Sequence, residues 1–486
     1  MRGLSVLVLG GGMAGLCASL SLARDGHSVL LVERDQLDVG DPADAFNWDR
    51  SGIPHFMQPH AFIPRGRREL RELFPDVFDS LLRLGAWDLD LRPKIRGAAR
   101  AGDEELAYLA LRRPLMEWAL RSAVSAETGI RALPGTRVTG LAGKPGTPPR
   151  VTGAVTTEGV FDADLVVDAM GRRSRTSDWI AEMGGTPAVE RSTDCGILYY
   201  SRYYRVRPGA SLPDGRWLPT PRGDLGYAGF SSFPGDNGTF AAVLGTPPGD
   251  QALKLLRQRR AFDAAIATMP ALDSWTNADI SEPITDVLPM GSLKNTIRIP
   301  TSDVPVAIGL VSVADAICHT DPALALGLSF SLIHARALRG AVRDYSPDLA
   351  SIGAAFLSAT RAEMEERFDY ASAIDEARAR RWAGEPVDFA HRDGGAYGLF
   401  TLVAGTAAAL EDGDVFRAVV RRNTFLDPLA VLDEDEATQR RIETLFDELR
   451  SRGGPPPGPG RDELLSIMDA AIRREEVSSG PASPRP

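Results

Sequence analysis

Apolar positions change period twice within the first 35 residues. Ser5 to Leu9 is a short, mostly apolar run of the kind a buried parallel strand needs. Leu16, Leu20 and Ala23 then recur at helical spacing, and Gly26 stands where such a helix stops. A second apolar run, Val29 to Val32, ends on Glu33. Further along, "RGRRELRELFPDVFDSLLRLGA" predicts a helix broken near Pro75, and "ALRRPLMEWALRSAV" a helix with Leu115, Trp118 and Ala119 on one face. "TRVTGLAG" and "RVTGAVTTEGVFDADLVVDAMG" predict a small β-meander returning to a buried strand at Leu165–Val167, which leads to Gly171.

The texture changes from about Asp194 to Pro289, where "GILYYSRYYRV" is aromatic and β-prone. Two further strands meet at Pro234–Gly238, so a second domain built on an antiparallel sheet is expected. Strand alternation puts Tyr199, Ser201 and Tyr203 on one face and Tyr200, Arg202 and Tyr204 on the other. "VPVAIGLVSVAD" resumes the buried-strand pattern, and a long helix is expected from Pro322 onward. The remainder reads as mostly helical. It thins into "GGPPPGPG" at 453–460, a Pro/Gly linker, then a short helix and the tail "SSGPASPRP", expected to be disordered. No internal repeat is visible. The class expected is α/β, with a discontinuous dinucleotide-binding domain (1–180 and 290–345), an inserted sheet domain (181–289) and a helical region (346–452) before the linker, helix and tail of 453–486.

The turn after the first strand carries the chemistry. Gly10, Gly12 and Gly15 fit G-x-G-x-x-G. Gly10 permits the tight turn, Gly12 lets backbone approach a pyrophosphate, and Gly15 lets helix and strand pack closely. The helix start offers free N–H groups and partial positive charge to that pyrophosphate. Glu33, at the end of the second strand, can accept a hydrogen bond from a ribose hydroxyl. Strand, loop, helix, strand and acid fall in order, so the loop holds a dinucleotide.

Composition narrows the class by exclusion. A net charge of −10 over 486 residues argues against a sequence-independent nucleic-acid binder, which relies on clustered cations. No apolar run approaches the ~20 residues that span a bilayer. The chain enters a core strand at once, which leaves no room for a signal peptide and makes a cytoplasmic protein the expectation. Three scattered cysteines and six dispersed histidines give neither a disulfide framework nor a zinc site, so no metal is expected.

Two further motifs follow the glycine loop, "ADLVVDAMGRRSRT" (Ala163–Thr176) and "VSVADAICHTDPALALGLS". In this order the three motifs resemble FAD-dependent monooxygenases of the para-hydroxybenzoate hydroxylase type. "GIPHFMQPHAFIPRGRRELRELFP" resembles a subgroup that includes bacterial polyether epoxidases. The resemblance covers roughly residues 1–345. It implies a Rossmann-like FAD-binding domain of the glutathione-reductase type, an inserted antiparallel β-sheet substrate domain and a C-terminal helical region. It also implies that Gly10, Gly12, Gly15 and Glu33 hold the ADP half of FAD. Arg113 would reach the cofactor, with Arg112 the competing candidate. Asp168, Gly171 and Arg172 would shape the loop beside the pyrophosphate or a visiting nicotinamide nucleotide, and Asp315 would bond the ribityl and phosphate region. Asp321 reads as an N-cap and Pro322 as the first helical residue, so that the helix containing Gly327 aims its positive end at the flavin.

The chain departs from the resembled pattern at four positions. Ala314 stands for the usual glycine before Asp315, and Leu324 where the first glycine of P-x-x-G-x-G is expected. Met170 replaces a threonine and Met57 an arginine. Asp321 also puts a carboxylate where it would partly oppose the dipole's help to an anionic flavin.

The implied reaction is hydroxylation or epoxidation of a small to medium apolar substrate through a flavin C4a-hydroperoxide, plausibly in secondary metabolism. NADPH or NADH would be the transient electron donor, directly or through a separate flavin reductase, and molecular oxygen the co-substrate. Candidate residues near the reaction are Arg50, His60 (ranked above His55) and His319, with Tyr199 and Tyr203 facing the substrate. Two alternatives share the fold: a reductase of the prenyl reductase type, and a flavin-binding cyclase or binding module without oxygen activation. The W-x-W-x-I-P of flavin halogenases is absent from the sequence.

Overall fold

The computed structural model describes residues 3–36, 39–213, 220–301, 305–386, 398, 400–453 and 457–478. Strand β1 (Ser5–Leu9), helix α1 (Met13–Arg24) and strand β2 (Ser28–Val32) form the opening unit, with β1 and β2 paired in parallel. The helical face predicted from Leu16 and Leu20 is fully buried. The break at Pro75 appears as two helices, α2 (Pro64–Leu73) and α3 (Pro75–Arg83), each opened by a proline at a position whose N–H would go unused. Helix α4 (Arg113–Ala126) leads to β3 (Ile130–Leu133), parallel to β2. The meander is present as antiparallel strands 138–144, 150–156 and 159–162. It returns the chain to β4 (Leu165–Asp168), parallel to β1.

The second sheet is antiparallel and contains β5 (Leu198–Val206), β6 (Gly229–Pro234) and β7 (Thr239–Thr246). Its alternation is as expected. Tyr200 and Tyr204 pack with Phe240 and Trp275 on one side, whereas Tyr199 and Tyr203 pack with Ala241, Val243 and Trp382 on the other. Helix α5 (Arg259–Ile266) covers the first of these faces. Strand β8 (Lys294–Ile299) pairs with Val189–Asp194 and with the short Cys318–His319, forming a third sheet. Strand β9 (Leu310–Ser312) closes the parallel sheet, whose order is β9-β4-β1-β2-β3.

Helix α6 (Leu326–Tyr345) packs on α1 and α2, and α7 (Leu349–Trp382) runs from the parallel sheet to the antiparallel one. The long helix does not begin at Pro322. Pro322–Leu324 form one 3-10 turn, Ala325 adopts a left-handed conformation, and only then does α6 start. Helix α8 (Arg461–Ser478) lies against α5, with Leu464 at 1% and Met468 at 0% exposure. Arg461 pairs with Asp250 at 2.9 and 3.0 Å, and the Tyr227 hydroxyl donates to the Pro459 carbonyl at 3.0 Å. The expected linker falls partly on 454–456, and the expected disordered tail on 479–486, outside the described residues. No helix among the described residues is long and apolar enough to cross a membrane.

One ion pair joins the two main sheets. Arg112 donates to Asp236 through Nη2 at 2.6 Å, Nε at 3.0 Å and its own backbone N–H at 2.9 Å. The guanidinium also stacks over Phe46 at 3.8 Å. Asp236 is fully buried, so this bidentate pair sits where charge-assisted bonds are strongest.

Candidate functional site

The glycine loop is shaped by close approach. Gly10 has φ +104°, and a Cβ there would lie 2.6 Å from the Ala169 carbonyl oxygen. A Cβ at Gly15 would lie 1.8 Å from the Gly10 carbonyl oxygen, so helix and strand could not pack with any other residue. Gly12 caps α1 without a side-chain bond, and the space beside it is open except for Ile53 at 3.6 Å. Glu33 accepts from the Gly11 N–H at 2.6 Å and the Asp35 N–H at 2.9 Å. A carboxylate has about four acceptor positions, so two remain for a ribose.

Around this loop lies a charge cluster centred on Glu117, which is fully buried. Arg113 Nε reaches it at 3.0 Å, Arg50 Nε at 3.3 Å and Arg121 Nη2 at 3.6 Å. Arg50 also pairs with Asp35 at 2.8 Å and donates to the Gly11 carbonyl at 3.4 Å. Arg50, a candidate near the reaction, is thus placed beside the glycine loop, held by Asp35, Glu117 and the Gly11 carbonyl. Burial and the neighbouring Arg50 lower the Arg121 guanidinium to about 10. The loop N–H groups at the start of α1 and the cationic Arg50 beside them fit an anionic dinucleotide such as FAD.

Arg112 and Arg113 have different partners. Arg112 is spent on Asp236, whereas Arg113 Nη1 meets His60 Nε2 at 3.3 Å. His60 Nδ1 in turn meets the Gln58 carbonyl at 2.7 Å, which places the ring proton on Nδ1 and the lone pair toward Arg113. Burial and Arg113 push His60 down to about 3, so it is neutral. Its ring lies 5.8 Å from that of His55. Burial, Arg113, His60 and His319 hold His55 well below the ordinary histidine range. The Gln58 side chain accepts from Ser201 at 2.5 Å and donates to the Leu288 carbonyl at 3.2 Å, pinning this loop to the antiparallel sheet.

Asp315 completes the group. Its carboxylate faces His319 Nδ1 at 3.4 Å and lies against Gly327, where a Cβ would stand 3.7 Å from Oδ1. A Cβ at Gly171, whose φ is +73°, would lie 3.9 Å from the Asp315 Cβ. Burial opposes its charge, yet His319, His55 and Arg113 hold the carboxyl well below the usual range. The side chain is 28% accessible although it lies deep among these groups, so it lines a crevice. The second and third motifs thus meet at one ionised carboxylate. The half-buried Arg172 follows Gly171 on the same turn.

Asp168 lies buried at the end of β4. It is 1% exposed, and its oxygens accept from Ser174 and Thr176 at 2.6 Å, Ser312 at 3.2 Å and the Met170 N–H at 3.1 Å. Those bonds staple β4 to the following turn and to β9, leaving the carboxylate nothing to offer a cofactor. The glycine assignment at Leu324 needs correction. The left-handed residue is Ala325, with φ +54°, three residues after Pro322, and Ala314 is left-handed too, with φ +50°. Both of these substituted glycines stand where only glycine is free of strain.

Asp321 does cap the Pro322 turn, accepting from the Ala323 N–H at 3.1 Å. Its charge is answered by Arg378 at 3.0 Å and by the Tyr199 hydroxyl, which donates at 2.7 Å. The expected opposition to an anionic flavin is therefore largely neutralised. Arg378 also pairs with Asp375 at 2.7 Å, and burial together with Asp321 pushes the Asp375 carboxyl up to about 8. Cys195, Asp321 and Asp375 bring their ligand atoms within 4.8 Å of one another, but Arg378 already supplies the cation there. The Tyr199 and Tyr203 rings form an apolar face with Trp382, and the Tyr199 hydroxyl is committed to Asp321.

Several of these residues escaped sequence reasoning: Glu117, Arg121, Asp236, Asp375 and Arg378. Some left a signal. Arg113, Glu117 and Arg121 recur at i, i+4, i+8, a helical ladder of alternating charge. Asp236 has no local signal, because its partner is 124 residues away.

Comparison with known proteins bears on this geometry. Residues 5–172 match the family described as FAD dependent oxidoreductase. Protein Rv3254 of Mycobacterium tuberculosis is 28% identical over 225 residues, a match that spans 42% of this chain and 45% of that protein, less than half of either. Among solved structures, the fold resembles PqsL of Pseudomonas aeruginosa, described as a probable FAD-dependent monooxygenase, with 16% identity and a TM-score of 0.56 over 79% of this chain and 99% of that one. It also resembles 2-methyl-3-hydroxypyridine-5-carboxylic acid oxygenase (16% identity, TM-score 0.51, 80% and 94% covered). CmlS, a flavin-dependent halogenase, aligns with 16% identity and a TM-score of 0.56 over 98% of this chain and 78% of that one. At such identities the structures speak for the fold. The family match is confined to residues 5–172, which hold the glycine loop, the Glu117 cluster and most of the second motif.

Proposed function

We propose that this chain is an FAD-dependent monooxygenase that hydroxylates or epoxidises a small to medium apolar substrate. The balance is substrate, O2, NAD(P)H and a proton giving oxygenated substrate, water and NAD(P)+, with the nicotinamide acting directly or through a flavin reductase. The observation that carries the reading is the ionised, partly accessible Asp315 where the second and third motifs meet, in one group with Arg113, His55, His60 and His319. When bound, FAD supplies hydride acceptance and oxygen activation. Gly10, Gly12, Gly15 and Arg50 would hold its pyrophosphate, Glu33 its ribose, and Asp315 its ribityl hydroxyls. Gly171, Arg172, Pro322 and Gly327 would close around the ring.

The protein's remaining task is orientation and exclusion of water. The apolar face of Tyr199, Tyr203 and Trp382 suits an apolar substrate, and Gln58 pins its loop to that same face through Ser201. His60, fixed as a neutral ring, orients Arg113 without exchanging protons, and His319 Nδ1 faces the Asp315 carboxylate at 3.4 Å. The test is the visible spectrum of purified protein during anaerobic NADPH addition, followed by oxygen uptake. Bound FAD that is bleached, directly or with an added reductase, and then consumes oxygen supports the reading. Reduction without oxygen uptake favours the prenyl reductase type instead, and a protein that takes up no FAD overturns both.

A further inference from the structure

The residue before Asp315 holds an unfavourable backbone conformation. Ala314 has φ +50°, where an L-residue with a Cβ is strained and glycine is not. It is 3% exposed, so its N–H cannot turn to water. That N–H instead donates to His334 Nδ1 at 2.8 Å. His334 is fully buried on α6, between Phe330 at 5.4 Å and Phe356 at 5.5 Å.

We infer that His334 is a positioning residue, whose Nδ1 lone pair locks Ala314 in its left-handed form and thereby presents the Asp315 carboxylate to the cofactor. This rests on the reading of Asp315 as an FAD-binding group. The acceptor must be a neutral ring with its proton on Nε2, because protonated Nδ1 would face N–H with N–H. Among the described residues Nε2 has no hydrogen-bond partner, and the Phe356 ring stands at 87° to the imidazole, a geometry open to a weak N–H···π contact. Burial pushes His334 down to about 3, with Asp315 the charged group that acts against this, so the acceptor persists across the neutral range. A glycine before Asp315 would hold the turn unaided. The alanine here needs an outside partner, and the histidine twenty residues on supplies it.

The experiment is a double-mutant cycle between positions 334 and 314, read by FAD dissociation constant and by the melting temperature of the apoprotein. His334→Leu removes the acceptor and should weaken FAD binding about tenfold, the size of one hydrogen bond to a buried group. His334→Asn, whose Oδ1 takes the place of Nδ1, should stay within about threefold of the unaltered protein. Ala314→Gly alone should bind FAD as tightly or more tightly. In its presence the His334→Leu loss should shrink to about threefold or less, since glycine keeps the left-handed turn by itself. Unchanged FAD affinity in His334→Leu overturns the inference, and so does an equal loss in both backgrounds, which would mean packing alone. If His334→Leu fails to fold, His334→Asn decides: a tenfold loss there with an unaltered melting temperature overturns it. Failure of the unaltered protein to bind FAD overturns the inference and the proposed function together.

Discussion

Glu117→Gln tests whether the buried charge cluster is held by charge or merely by shape. The substitution keeps volume and one acceptor but removes the negative charge on which Arg50, Arg113 and Arg121 converge. Arg50 retains Asp35 at 2.8 Å, so its loss is small. Arg113 keeps only its contact to His60, and Arg121 only the Gln36 carbonyl at 3.2 Å and the face of Trp48 at 4.3 Å. Two buried guanidinium groups are thus left short of a counter-charge. Breaking a buried pair typically destabilises by roughly 3–5 kcal/mol, and the retained amide oxygen places this case near 3 kcal/mol. Spread over a unit of about 200 residues, that corresponds to a melting temperature lower by roughly 6–12 °C. Differential scanning calorimetry of the FAD-free protein at neutral pH is the assay. A drop of less than about 2 °C, equivalent to under 1 kcal/mol, would refute the charge argument.

The remaining predictions concern the third motif and its surroundings. Asp315→Ala should lose FAD while circular dichroism stays close to that of the unaltered protein, and Asp315→Asn should be milder because its amide oxygen still accepts; stoichiometric FAD with unchanged affinity in Asp315→Ala would remove the assignment. Ala325→Gly should raise stability by about 1 kcal/mol in urea denaturation, since it relieves a left-handed alanine at the start of α6; a loss of stability would contradict the strain. The raised Asp375 carboxyl binds more protons folded than unfolded between about 4 and about 8, so it makes stability fall as pH rises through that window. Asp375→Asn should flatten the melting temperature between pH 5 and about 8, and a profile parallel to the unaltered protein would show that the carboxyl does not carry the dependence.

How much of this was legible depended on the range of the forces involved. Part of the glycine loop was readable from local contacts, since Gly15 answers to Gly10, whereas Gly10 answers to the distant Ala169. Alternation in β5 was readable because a strand must point successive side chains to opposite faces. The left-handed residue after Pro322 is Ala325, the position that P-x-x-G-x-G itself assigns when counted from Pro322 to Gly327, so naming Leu324 was a miscount of a legible motif. The histidines could be nominated singly but not as a group. His55 and His60 come from a loop and His319 from a strand end, and only the tertiary fold brings them around Asp315. Arg112 and Arg113 are neighbours with opposite fates for the same reason: one meets an aspartate 124 residues away, and the other a glutamate one helical turn along.

The docking of α8 on α5 also orders events during synthesis. Phe262, Ala265 and Met269 emerge with the antiparallel sheet, yet the cluster they belong to includes Leu464 and Met468. At bacterial or eukaryotic elongation speeds of roughly 5–20 residues per second, the intervening stretch of about 200 residues takes on the order of 10–40 s to make. During that interval the sheet domain displays an uncovered apolar flank while the ribosome is still at work, and a chaperone that shields nascent chains has a defined place to act.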